Sequence, residues 1–188
     1  MQKAIKVNVF GNFIEEGFIL HGLFINSNKE PKIIFPINEN NGIFAMDNEQ
    51  NLYITCSSYN LESGKLKHAN SDWVYYDSYE GKLQKIGSTY IYYDSYEGKL
   101  QHVGNTWIYY DSYDGKLQHI GNTWIYYDNY TGKPKQIANN WLYYDSYSGK
   151  LKQYGDIWIY YDGYGRIKQI GDVWFWLIKK RCLFRCLD

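Results

Sequence analysis

Residues 107–123 are WIYYDSYDGKLQHIGNT, a unit that recurs through most of the chain. The pattern starts again at Trp124, and near-copies start at Trp73, Tyr90, Trp141 and Trp158. The spacing is 17 residues from Trp73 to Trp158 and then 16 to Trp174, where a broken copy opens. A fixed period of this kind marks a repeat architecture.

Trp107-Ile108-Tyr109-Tyr110 is aromatic and β-branched, which suits a pleated, half-buried strand. Leu117-Gln118-His119-Ile120 is a second, shorter run. Between them, Tyr113-Asp114-Gly115 fits a three-residue hairpin loop whose last residue must be left-handed. Glycine takes that conformation without steric cost, which accounts for Gly81, Gly98, Gly115, Gly132 and Gly149. Gly121-Asn122 then forms a second, two-residue turn. Each copy is therefore a β-hairpin that runs directly into the next. The copy at Trp158 has lost one residue, and a shorter loop at Tyr164-Gly165 keeps its faces unchanged, as a hairpin allows.

Period-two alternation assigns the faces. Trp107, Tyr109, Asp111, Leu117 and His119 fall on one side. Ile108, Tyr110, Ser112, Gln118 and Ile120 fall on the other. The Trp/Tyr/Leu side is the better candidate for a core or for stacking. Ideal geometry in both loops would make two neighbouring strands claim the same backbone groups of Lys116, Gln118 and Ile120. Either the Ile-Gly-Asn-Thr corner is wider than two residues, or the hairpins stack as a solenoid. Pro134 at the Leu117-equivalent position indicates that this position need not donate a ladder hydrogen bond.

The expected fold is all-β: tandem antiparallel hairpin repeats, as a meander or a hairpin solenoid, with an N-terminal β cap. Residues 1–51 lack the repeat and form the cap, with strands expected at Lys6–Phe10, Phe18–Ile25, Lys32–Ile37 and Ile43–Met46. Residues 52–174 form the array, and its first part, 52–72, reads as a degenerate copy with a longer loop. Residues 175–188 read as a C-terminal cap strand or a truncated end.

Of the 188 residues 22 are Tyr and 7 are Trp, and Lys plus Arg balance Asp plus Glu at 20 each. Zero net charge gives no bulk attraction to nucleic acid. The N-terminus has no signal-peptide pattern, and no apolar run is long enough for a transmembrane helix. The cytoplasm is the default expectation, with unconventional secretion or surface association as the alternative. Cys56, Cys182 and Cys186 make neither a disulfide framework nor a zinc set.

His102 and His119 occupy a position filled elsewhere by Lys85, Gln136, Gln153 and Gln169, so it reads as a surface site for any long polar side chain. Asp77, Asp94, Asp111, Asp128, Asp145 and Asp162 recur as strand-end residues that hydrogen-bond into the next turn. The rival reading makes Asp111 and Asp114 calcium ligands, but the second acid becomes Thr131 and Ser148 in later copies. No metal, cofactor or catalytic residue is expected, because everything distinctive is copied whereas an active site gathers unlike residues. The expectation is a non-enzymatic structural or protein-interaction scaffold.

The candidate ligand-binding residues are Trp73, Tyr75, Tyr90, Tyr92, Trp107, Tyr109, Trp124, Tyr126, Trp141, Tyr143, Trp158 and Tyr160. Most are expected to pack on one another between hairpins. Exposed, they would form a row of flat faces for sugar rings or a quaternary ammonium, with avidity from repetition.

The string Trp-x-Tyr-Tyr-Asp-x-x-x-Gly-Lys-Leu resembles the aromatic hairpin repeats of bacterial cell-wall-binding modules of the choline- and glucan-binding types. Tyr110, Gly115 and Leu117 match that spacing. The resemblance implies a hairpin solenoid with Trp107, Tyr109 and Trp124 as pocket residues, hence a carbohydrate or cell-wall ligand. The period here is shorter, the Trp directly after the closing Gly is absent, and there is no signal peptide. The chain is also similar to bacterial proteins built of tandem YYD–G–IG repeats.

Overall fold

The computed structural model describes residues 1–39 and 42–175. Among them there is no helix, and every strand pairing is antiparallel. Strands β1 (Gln2–Val7), β2 (Phe13–Leu20), β3 (Leu23–Asn26), β4 (Pro31–Ile33), β5 (Phe35–Glu39), β6 (Gly42–Met46) and β7 (Leu52–Thr55) form one sheet in the order β4-β3-β2-β1-β7-β6-β5. The sheet curls into a nearly closed barrel.

The second sheet is a meander of 15 strands from β8 (Tyr59–Glu62) and β9 (Lys65–Ala69) onward. Its long strands are β10 (Asp72–Tyr76), β12 (Thr89–Tyr93), β14 (Thr106–Tyr110), β16 (Thr123–Tyr127), β18 (Asn140–Tyr144) and β20 (Ile157–Tyr161). Its short ones are β11 (Leu83–Ile86), β13 (Leu100–Val103), β15 (Leu117–Ile120), β17 (Pro134–Ile137), β19 (Leu151–Tyr154) and β21 (Ile167–Ile170), and β22 (Val173–Trp174) ends it.

Each long strand divides its pairing. Thr123 and Trp124 of β16 pair back to β15, whereas Ile125, Tyr126 and Tyr127 pair forward to β17. This handover, together with a bulge in every short strand, removes the double claim on backbone groups and yields a continuous meander. Tyr109 faces His119 but Tyr110 faces Leu117, so Gln118 is the extra residue of the bulge.

The bulge also corrects the faces read from strict alternation. One extra residue places Leu117 and Ile120 on the same side, with Ile108 and the half-buried Tyr110. Trp107, Tyr109 and His119 are left on the outer side. The core therefore lies on the Ile/Tyr/Leu face. The hairpin loop runs over Ser112–Gly115, one residue longer than read, closed by Asp111 N–H on the Lys116 carbonyl at 2.7 Å. The copy that has lost a residue keeps the equivalent pair, Tyr161 with Ile167.

The N-terminal strands differ from expectation in three places. The first strand is Gln2–Val7, and the expected continuation over residues 8–10 lies in a loop. The expected Lys32–Ile37 is split at Ile34 between two strands, and the expected Phe18–Ile25 is split by a turn. His21 and Gly22, both left-handed with φ of 49° and 75°, form a two-residue turn inside the stretch read as a single strand, Phe18–Ile25. The Asn-Glu-Asn-Asn-Gly run at 38–42, whose composition predicts a turn, falls partly outside the described residues. Leu52–Thr55 is a strand of the barrel, and the degenerate copy starts at Tyr59 with a shorter loop, Ser63-Gly64. Apart from Phe175, the expected C-terminal cap lies outside the described residues.

The barrel uses the loop of the shortened copy of the array. Asn8, Asn26, Asp47 and Asp162 each begin a five-residue loop in which Oδ1 accepts N–H groups two and four residues on, at 2.9–3.0 Å. The fourth residue is left-handed in each: Gly11, Lys29, Gln50 and Gly165. Residues 1–51 thus share the loop geometry of that copy without the aromatic signature of the repeat.

Both barrel faces are buried. Ala4, Phe24, Ile34, Ala45 and Tyr53 form one small core. Ile5, Val7, Leu23, Ile25, Met46, Leu52 and Ile54 join the Leu and Ile residues of the array in the main core. Double burial explains runs such as Leu23–Ile25 that do not alternate.

The cap contacts the array along its length. Leu66 N–H donates to the Gly11 carbonyl at 2.9 Å, Leu83 N–H to Val9 at 2.8 Å, Leu100 N–H to Gln50 Oε1 at 2.7 Å and Ile167 N–H to Lys29 at 2.9 Å. These N–H groups point away from the array's own ladder. Pro134 is accommodated at this position for that reason. In sequence order the contacts pass from the β1–β2 loop to the β6–β7 loop and then to the β3–β4 loop, so the array travels around the barrel.

Candidate functional site: the outer aromatic ladder

The second and fourth residues of each long strand face outward, on the side opposite the core. All twelve aromatic residues singled out in the sequence lie on this outer face, each 42–53% exposed. Neighbouring strands lie about 4.8 Å apart, which is close to the stacking distance of flat side chains. His119 sits between Tyr109, at 4.2 Å and 19°, and Trp124, at 4.4 Å and 30°. His102 sits likewise between Tyr92 at 4.1 Å and Trp107 at 4.6 Å. Lys85 takes the same place between Tyr75 and Tyr90, at 5.6 and 4.7 Å from the ring centroids. Where these contacts form, ring faces rest on the side chain of the adjacent strand. Within one strand, Trp107 and Tyr109 are 6.4 Å apart.

The tolerance for His or Gln between the rings has a second cause. His119 Nδ1–H donates to the Gly121 carbonyl at 3.0 Å, and Gln153 Nε2 donates to Gly155 at 2.8 Å. Gln136 and Gln169 make the equivalent bond to Ala138 and Gly171. The position accepts a side chain that is flat and can reach the carbonyl two residues on. Lys85 meets the stacking requirement through its charge.

The remaining polar groups of the repeat are engaged within the fold. Asp128 Oδ1 accepts the N–H groups of Tyr130 and Thr131 at 3.1 and 2.7 Å, so the recurring Asp is a turn residue. These donors hold the carboxyls of Asp77, Asp94, Asp128 and Asp145 below the ordinary carboxylate range. The second Tyr of each pair turns inward, and all but Tyr93 cross to the preceding copy: Tyr110 donates to the Leu100 carbonyl at 2.9 Å and Tyr144 to Pro134 at 2.7 Å, whereas Tyr93 donates to Val9 of the barrel at 3.3 Å. Burial pushes the Tyr76 and Tyr161 hydroxyls up to about 12, and those of Tyr93, Tyr110, Tyr127 and Tyr144 further.

Elsewhere, Lys6 is buried and pairs with Asp47 at 3.1 Å, and Asp47 also accepts from the Tyr53 hydroxyl at 2.8 Å. Cys56 is buried, and burial raises its thiol to about 11. Among the described residues no group of three or more His, Cys, Asp or Glu is arranged to hold a metal ion, and no helix is long and apolar enough to cross a membrane.

A further set of aromatic residues lies outside the twelve. Tyr79, Tyr96, Tyr113, Tyr130, Tyr147 and Tyr164 project from the loop tips at 87–100% exposure. The available signal was the return of a large aromatic residue at a loop position where turn chemistry asks only for something polar.

Comparison with protein-family models, characterised proteins and solved structures returns no match.

Proposed function

We propose that the chain is a non-enzymatic repeat protein acting as a structural or protein-interaction scaffold. The observation that carries this reading is the ladder of stacked side chains along the outer face. Where His and Lys separate the rings, they use the ring faces for cohesion between strands, and leave the rims and edges of the rings as the surface offered outward. The Asp, Lys, Gln and inner Tyr of the repeat are engaged in turns and junctions, which suits a rigid frame. A row of twelve half-exposed rings on one face favours contact with a broad partner.

The second reading is a carbohydrate or cell-wall binding module, favoured by the 42–53% exposure of every ring in the row. Titration of tryptophan fluorescence with choline and with a panel of soluble glycans separates the two. The scaffold reading expects an unchanged spectrum. Saturable quenching that disappears in Trp107→Ala and Trp124→Ala would replace it with the carbohydrate reading.

A further inference from the structure

We infer that the loop tips form a self-association surface, in which the tip tyrosines of one molecule enter the grooves between the tips of a second copy. This inference does not rest on the scaffold reading of the outer face.

Most large side chains of the repeat already have a place in the fold. Ile108, Leu117 and Ile120 fill the core, and Trp107, Tyr109 and His119 build the ladder. Tyr110 and Lys116 tie adjacent copies, through a hydroxyl on Leu100 and an ammonium 5.6 Å from the Tyr127 ring. Asp111 and Gly115 shape the loop. Tyr113 is the remaining large side chain, and it is 98% exposed. Its backbone N–H serves the turn, which any residue could do. A tyrosine nevertheless stands there in six successive copies, and tyrosine is the side chain that gives a large amphipathic contact at low entropic cost.

A matching cavity recurs beside the tips. Grooves of 460, 500 and 560 Å³ lie at three junctions between copies. The middle one is lined by Asp111, Asp114, Lys116, Tyr126 and Asp128. Lys116 is engaged with Asp114 at 2.7 Å. In Asp111 and Asp128 the turn uses Oδ1, and a carboxylate can accept at its second oxygen as well. The groove thus combines an aromatic wall with an excess of acceptors over donors. A phenol brings a ring and a hydroxyl donor.

The occupant is identified by pitch. One copy contributes two strands, so tips recur about every 10 Å, and the three grooves, at alternate junctions, recur about every 20 Å. Alternate tip tyrosines of a second copy match that interval, and its own grooves receive tips of the first copy in return, which gives a closed, two-fold contact. Three inserted tyrosines and three filled grooves can bury on the order of 1,000 Å² per molecule, against about 800 Å² per partner in a standard interface. Zero net charge leaves no overall repulsion to oppose it.

Sedimentation equilibrium across a concentration series tests this, on the intact chain and on a variant with all six tip tyrosines changed to Ser. The intact chain is expected to show a concentration-dependent dimer and the variant a monomer that keeps a β-type far-ultraviolet circular dichroism spectrum and a cooperative thermal transition. An intact chain that stays monomeric throughout, or a folded variant that dimerises as well as the parent, would overturn the inference.

Discussion

The hydroxyl of Tyr127 donates to the carbonyl of Leu117 at 2.8 Å, one copy earlier in the chain. The same ring lies under the ammonium of Lys116, at 5.6 Å from the centroid. Two neighbouring residues of one hairpin thus clasp a single side chain of the next. Tyr127→Phe keeps the ring and removes the hydroxyl, leaving a half-buried carbonyl without its donor. The expected loss is about 1 kcal/mol in urea denaturation. In a chain of this size that lowers the melting temperature by about 2–4 °C.

The same clasp sets an alkaline limit. The ordinary tyrosine value is 10, and burial raises Tyr76 and Tyr161 to about 12. Above pH 10 the unfolded chain loses phenolic protons that the folded chain retains, so stability falls with rising pH. The contribution is complete below pH 10 and disappears as pH passes through 12. Several buried tyrosines act together, so denaturation midpoints should drop steeply over this window. Tyr76→Phe and Tyr161→Phe should each flatten the slope.

The loop aspartates act at the other end of the scale. The carboxyls of Asp77, Asp94, Asp128 and Asp145 are held below the usual 3.8 by backbone donors, of which Thr131 N–H is the first for Asp128. Stability from these groups is present above pH 3.8 and is lost as pH falls through the lowered folded values. Asp128→Asn keeps an acceptor oxygen for the turn and should remove part of the acid sensitivity while preserving the fold. Asp128→Ala should lower the melting temperature at neutral pH as well. Thermal melts from pH 2 to 7, a range spanning the carboxylate region, distinguish the two.

Ala138 stands where other copies carry Gly87, Gly104, Gly121, Gly155 and Gly171, and it shares their left-handed backbone with φ of 50°. A Cβ in that region costs roughly 1–2 kcal/mol. Ala138→Gly should therefore stabilise the protein by about 1 kcal/mol, after some loss to the greater freedom of the unfolded chain. Gly121→Ala should destabilise by a similar amount.

Gly11 combines a φ of 73° with close approach of the Tyr76 ring, which a Cβ would overlap. Gly11→Ala meets both backbone strain and overpacking, for about 3 kcal/mol in total. Its effect should centre on the barrel–array junction. Hydrogen exchange at Leu66 N–H, which is bonded to the Gly11 carbonyl, should accelerate more than exchange at Gly121 N–H.

The hairpin, its two turns and the turn role of Asp were legible because each rests on short-range backbone chemistry that Gly and Asp report directly. The orientation of the faces was not. It depends on the bulge at Gln118, and no residue type there announces an extra position. The kinship of residues 1–51 with the array was hidden for a different reason. Asn8, Asn26 and Asp47 repeat the loop, but burial on both barrel faces replaces the alternating aromatic pattern with plain apolar runs. The twelve outer aromatics were legible as a set. Their stacking through His119, His102 and Lys85 needed the pairing register, which places those residues directly opposite the rings.

The bonds from Leu66 to Gly11 and from Ile167 to Lys29 anchor both stretches of the array to fixed points on one barrel. The barrel acts as a mandrel. Inserting a further 17-residue unit between those anchors would lengthen the winding without enlarging the girth it must follow, so one anchor would have to let go. Open-ended repeat proteins can drift in unit number by duplication, but here the inner barrel serves as a gauge that fixes how many units fit.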